Sequence, residues 1–196
     1  MSTTTVSARR AVTQARLADA AVAVFARKGV PGSTVEEICE KAGFTRGAFY
    51  SNFDSKDELC MAVLSRYAEK NLAVLSSSLD FPNDGQDVLR DRIHDIITLF
   101  SSAVGSDPTT VVAILEITLE ATRNPQLREA YQHVEAAISP ALREMVEQAL
   151  RDHDVTTTIS VNDLIEVTRG VFDSRVLATM ASGRKADIDR MTNQLT

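Results

Sequence analysis

Between Thr34 and Phe53 the chain writes two helical segments joined only by Gly43-Phe44-Thr45. Neither reaches the ~12 residues at which an isolated helix becomes stable in water, so both must be held by packing against something else. A three-residue connection containing glycine sets two such helices across one another, which is the helix-turn-helix arrangement. The ends of both segments are written in side chains. Thr34-Val-Glu-Glu37 has the form of a capping box, in which the threonine hydroxyl and the glutamate carboxylate each satisfy a backbone N–H that the first turn leaves free. The first of the two ends at Gly43, and Thr45 is placed to cap the next helix, expected from Arg46 to about Asn52. Phe49 and Phe53, four apart, mark that helix's inner face.

Its outer face carries Thr45, Arg46, Tyr50, Ser51 and Asn52, and no carboxylate occurs from Thr45 to Phe53. Such side chains donate hydrogen bonds to phosphates and base edges, and the second helix of a helix-turn-helix can lie in the major groove. Gly47 points the same way, because glycine costs a helix ~1 kcal/mol relative to alanine and is explained if something approaches its backbone closely. Lys56 stands in the first turn of the following helix, where the dipole disfavours a cation; a phosphate at that place would resolve the conflict. The charge is divided accordingly. Residues 1–56 hold eight Lys and Arg against five Asp and Glu, a net +3, and the remainder holds 13 against 22, a net −9. An acidic total with a basic first part argues against a sequence-blind nucleic-acid coat and assigns anion binding to the first part alone.

The rest of the chain reads as further helices. Leu17, Ala21, Val24 and Phe25 recur at helical spacing before Arg27, Lys28 and Gly29, predicting a first helix from about Arg10 to Lys28. Arg9 and Arg10 ahead of it read either as a minor-groove arm or as a solubilising tail. A second capping box, Ser55-Lys-Asp-Glu58, opens a fourth helix with Leu59, Val63, Tyr67 and Leu72 inward, ending near Leu79. After Phe81-Pro82-Asn83-Asp84-Gly85 the pattern predicts a fifth helix from Leu89 to Phe100 and a sixth over about Thr109–Thr122. A seventh runs from Leu127 to Ala149, where Pro140 should kink the helix without stopping it. An eighth covers Val161–Ala181 and a ninth Asp187–Leu195. The expected fold is all-α with about nine helices: a three-helix DNA-binding domain over residues 1–54, then a larger helical ligand-binding and dimerisation domain over residues 55–196.

Thr34-x3-Ile38, Ala42-Gly43, Thr45-x-Gly47 and Tyr50-x2-Phe53-x2-Lys56-x2-Leu59 together resemble the DNA-binding signature of the TetR (tetracycline repressor) family of transcriptional regulators, over about residues 10–64. The resemblance implies that Thr34, Thr45, Tyr50 and Lys56 touch phosphates, that Arg46, Gly47, Ala48 and Ser51 lie near bases, and that Phe49 and Phe53 are core. Cys39, Phe44 and Asn52 depart from the alanine, valine and histidine usual at those places, so the resemblance carries no operator sequence with it. It continues more weakly through Arg123-Asn124-Pro125-x-Leu127-Arg128.

The acidic second part has two expected tasks. The fourth to seventh helices can enclose a cavity lined by Phe100, Leu115, Leu119, Tyr131 and Val134, with His94 or Glu116 as a polar anchor for an unidentified small-molecule effector; a solid core with an exposed Glu116 is the plainer reading. Leu164, Val167, Val171, Phe172, Arg175, Leu177, Ala178 and Met180 give the eighth helix more apolar surface than one neighbour in the same chain would cover, and Gly170 admits close approach. Pattern and resemblance together therefore place a homodimer interface there, presenting two reading helices to a palindromic double-stranded DNA operator. Repression is the expected direction. Nothing in the chain has the form of a nucleotide-phosphate loop, a Gly-x-Ser-x-Gly elbow or a His-Glu-x-x-His site, so neither enzyme nor metal or cofactor chemistry is expected. The rival reading is a helical small-molecule-binding or scaffold protein without sequence-specific DNA binding. The longest uncharged run, Ile96 to Ser106, spans eleven residues, too few to cross a bilayer. Met1 to Arg10 lacks a signal peptide's apolar stretch, and two cysteines make no disulfide framework, so no membrane association and a cytoplasmic location are expected. Cys39 and Cys60 read as small buried hydrophobes.

Overall fold

The computed structural model describes residues 3–78, 107–152 and 155–183. Among these residues it contains seven helices and no strand: α1 (Thr3–Lys28), α2 (Val35–Ala42), α3 (Arg46–Tyr50), α4 (Lys56–Ser78), α5 (Pro108–Ala121), α6 (Pro125–Asp152) and α7 (Val161–Ala181). The helices expected over 89–100 and 187–195 lie outside the described residues, which accounts for seven against nine. The helices after α1 start where the sequence marks a start. Thr34 and Glu37 form the reciprocal capping box, and Gly43 closes α2 in the left-handed region at φ 70°, donating its N–H to carbonyls of the last turn. Pro108 and Pro125 open α5 and α6 at the position where a missing N–H costs nothing. Asp107 and Asn124 accept the N–H groups that follow. Helix α6 continues through Pro140.

Two local readings shift. Helix α1 begins at Thr3, so Arg9 and Arg10 are exposed on a helix and form no extended arm in this structure. At the start of α4, Ser55 accepts from the Glu58 N–H as expected, but the Glu58 carboxylate accepts from the N–H of Asp54, one residue before the position a capping box uses.

Residues as far as Tyr67, together with Val112–Glu135, pack as one compact unit, and the remaining described residues form the second. The first unit is larger than the motif-based domain of residues 1–54, because α4, α5 and α6 each contribute a segment to it. Its core joins Leu17, Val24 and Phe25 of α1, Ile38 of α2 and Phe49 of α3 to Leu59, Cys60 and Val63 of α4, Ile117 of α5 and Leu127 of α6, all at most 3% exposed. Burying one such side chain contributes about 1.5–3 kcal/mol, which is what holds the five-residue α3 in place. In the second unit α7 buries Phe172 and Val176, while Val167, Val171 and Leu177 stay exposed on the opposite side.

Candidate nucleic-acid interface

The reading face is built from the core outward. Phe49 is wholly buried and packs edge-on against Tyr50 at 5.2 Å and tilted against Phe53 at 5.7 Å, so α3 can rotate neither way. With that face inward, Thr45, Arg46, Gly47, Tyr50 and Ser51 are exposed, and Ala48 is half-buried. Thr45 caps the helix by accepting from the Ala48 N–H, and the Ser51 hydroxyl donates back to the Gly47 carbonyl. A Cβ added at Gly47 would meet nothing closer than the Thr45 hydroxyl at 3.8 Å. The protein's own packing therefore does not require glycine there, in keeping with an external body approaching that backbone.

Arg46 stands at the front of this face. Its guanidinium pairs with the Glu36 carboxylate of α2 at 2.9 Å and lies 5.9 Å from the centre of the Tyr50 ring. Thr34 is exposed at the tip of α2, and the neighbouring Glu37 is paired with Lys28 of α1, which holds its carboxyl below the usual range. The turn between the two helices is clamped from behind by Arg16. It donates to the Ala42 carbonyl at 2.9 Å and stacks over the Phe44 ring at 4.7 Å. Arg16 was not singled out from the sequence. The signal was there, since a cation one residue before the apolar stripe of α1 can reach the carbonyl end of a crossing helix.

Two expected contacts need correction. Asn52, expected to face outward, is buried: its amide donates to the Ala48 carbonyl at 2.8 Å, and its Oδ1 has no partner. Residue 52 stands three positions after the wholly buried Phe49, and i and i+3 share a helix face, so helical spacing itself turns it inward. Lys56 does not stand free for a phosphate. Its ammonium donates to the carbonyls of Val30 and Ser33, at 2.7 and 3.0 Å, bracing the loop between α1 and α2. Those carbonyls supply the negative partner that its unfavourable place on the helix dipole seemed to demand of a ligand. Asp57 beside it accepts from Asn124 at 3.0 Å, which ties the same helix start to the turn before α6.

The expected effector lining is described in part. Tyr131 and Val134 are half-buried against the core of the first unit, Leu115 is half-buried and Leu119 exposed. Glu116 is neither fully buried nor fully exposed; its Oε2 lies 2.9 Å from where a Cβ on Gly29 would stand, so the carboxylate tip occupies the space above that turn. His94 and Phe100 lie outside the described residues. Of the expected interface, Val167, Gly170, Val171, Leu177, Ala178 and Met180 are exposed, and Leu164 and Arg175 are half-buried. Phe172 is the exception: at 5% exposure it is buried within the chain, because four residues of helix carry it round to the side of Val176. Cys39 and Cys60 are buried thiols, and burial pushes Cys60 up to about 12, which makes it inert. Among the described residues no group of three or more His, Cys, Asp or Glu could hold a metal ion. No helix described is long and apolar enough to cross a membrane.

A short helix held by one buried aromatic, fronted by a second capped helix and free of acids on its outer face, defines a helix-turn-helix regulator. The comparisons agree. A model for bacterial regulatory proteins of the tetR family matches residues 17–63, and one for the tetracyclin repressor-like C-terminal domain matches residues 84–195. The chain belongs to the TetR family of transcriptional regulators. It is 24% identical over 163 residues to the HTH-type transcriptional regulator UidR of Escherichia coli strain K12, covering 81% of this chain and 79% of that one. It is 32% identical over 131 residues to the HTH-type nicotine-responsive transcriptional repressor HdnoR of Paenarthrobacter nicotinovorans, covering 65% and 66%. Among solved structures it shares its fold with the transcriptional regulator FadR from Bacillus subtilis in complex with stearoyl-CoA, at a TM-score of 0.69 and 18% identity over 91% of this chain and 93% of that one.

Proposed function

We propose that this regulator is a repressor that binds a palindromic operator as a homodimer and is released by a small molecule. The observation that carries the DNA-binding half is the outer face of α3, where Thr45, Arg46, Gly47, Tyr50 and Ser51 are exposed together over a buried Phe49. Tyr50, Thr45 and Thr34 supply phosphate contacts, and Arg46 reads a base edge. Lys56 supports this surface from behind.

The exposed side of α7 supports the dimer, since Val167, Gly170, Val171, Leu177 and Ala178 recur at helical spacing and a Cβ at Gly170 would meet nothing within 4 Å. For the effector, one relative is named as nicotine-responsive and one structural neighbour holds stearoyl-CoA, which supports an apolar or amphipathic ligand in the second part of this chain. Helix α4 runs unbroken from Lys56 to Ser78. This helix begins at the lysine that braces loop 30–33. Linkage requires ligand and operator to weaken each other by one factor, about 5–150-fold for a coupling of ~1–3 kcal/mol.

The test is binding to duplexes that the protein selects from a random pool, with and without a panel of apolar and cationic compounds. Arg46→Ala should relax preference at one base position, costing about 1–3 kcal/mol. Gly47→Ala should stabilise the free protein by up to ~1 kcal/mol yet weaken DNA binding. A uniform loss over all sequences for Arg46→Ala would reassign it to the phosphate backbone. A compound that binds tightly yet leaves operator affinity unchanged is no effector.

A further inference from the structure

Among the described residues Glu36 is the one carboxylate paired with a side chain of the reading face, and DNA-binding surfaces gain nothing directly from a negative charge facing phosphates. It lies in the first turn of α2, where the helix dipole favours an anion, and its Oε1 meets Nη1 of Arg46 at 2.9 Å. Both side chains are more than half exposed, so the pair adds little to stability. What it does fix is direction. The Tyr50 ring lies near the guanidinium on one side, and Glu36 holds one of its nitrogens. A guanidinium carries five N–H donors, so pairing at Nη1 leaves donors of the remaining fork free for a bidentate contact to guanine.

We propose that Glu36 is a specificity-determining residue, acting through Arg46 by holding the guanidinium toward base edges and away from phosphates. The proposal rests on the reading of α3 as the DNA-contacting helix. On random DNA, where binding draws on phosphate neutralisation, Glu36 removes one cation from the count and adds one repelling charge. On a matched duplex the forked contact to the base persists, so the same carboxylate costs little there. Its effect is to widen the gap between matched and random DNA, which is how a repulsive element generates specificity.

The experiment uses the full chain and its Glu36→Gln, Arg46→Ala and doubly substituted forms, with thermal melts to confirm that each folds. Wild-type protein selects duplexes from a random 30-base-pair pool (about three helical turns), and affinity for the enriched duplex and for the unselected pool is measured across a salt series. Glu36→Gln should tighten binding to the unselected pool several-fold, steepen its salt slope by about 1, and weaken enrichment at the base position that Arg46→Ala also relaxes. In the Arg46→Ala background the same substitution should leave the ratio of matched to random affinity unchanged. Equal tightening on both DNAs, or an undiminished change of ratio without Arg46, would overturn the proposal and leave Glu36 a bulk charge. A new base preference in Glu36→Gln that is independent of Arg46 would overturn it in favour of direct reading. A wild-type protein that enriches no duplex would overturn the DNA-binding reading and this proposal with it.

Discussion

The first compact unit and helix α7 put their apolar residues to opposite ends. In the first unit the large apolar side chains of six different helices converge until most are sealed, with Val12 and Leu119 the large aliphatic ones left exposed. Helix α7 seals only Phe172 and Val176 and leaves Val167 58% and Leu177 45% exposed. A scattered exposed leucine needs no explanation, but a row at helical spacing beside an open glycine is a surface shaped for another one. The reading head completes its core within one chain, whereas α7 would be completed by the proposed homodimer.

That contrast can be broken at its strongest point. Phe49→Ala removes the one side chain that seats α3, and should cost about 3–5 kcal/mol in urea unfolding, abolishing duplex binding through loss of the head. Val171→Glu together with Leu177→Glu should do the reverse. Both residues are exposed in the chain, so folding should be retained while sedimentation shows monomers, with operator affinity lowered by on the order of 100-fold through lost bivalency. A wild-type monomer in dilute sedimentation would remove the distinction between the regions.

Lys56→Met sharpens the comparison within the head. Depriving the Val30 and Ser33 carbonyls of their donor should lower stability by about 1–3 kcal/mol and weaken all duplexes alike, with the salt slope unchanged. A slope lower by about 1 would return the lysine to phosphate contact. The smallest effect belongs to α7. Burial raises the Asp173 carboxyl above its ordinary value against the pull of Arg169. Charging it in the folded protein is thus harder than in the unfolded chain, so its contribution to stability is present below the ordinary carboxylate pKa and lost as pH rises through the raised one. Asp173→Asn should raise the unfolding free energy slightly at neutral pH, by less than ~1 kcal/mol because solvent screens the group, seen as a small rise in melting temperature, and flatten that pH dependence.

Sequence alone determined what is local or periodic. Capping by Thr34, Thr45 and Ser55, termination at Gly43, the starts at Pro108 and Pro125 and the buried stripe of Leu17, Ala21, Val24 and Phe25 all follow from hydrogen bonds or spacings within a few residues, and the structure has them. The motif around Thr34–Leu59 was legible for the same reason, because its spacing is the geometry of the turn. What tertiary structure decided are partners far apart in the chain. Lys56 reaching back 26 residues to Val30, Arg16 crossing to Ala42, Glu36 meeting Arg46, and Glu116 lying over Gly29 depend on where helices cross. Asn52 and Phe172 turned inward because each shares a helix face with a buried side chain, Phe49 three residues before the one and Val176 four after the other, and which face is buried is set by the neighbouring helices. Pattern names which residues are polar; only packing decides whether a polar group meets solvent, another side chain or a backbone carbonyl, because that choice is made by groups the sequence keeps apart.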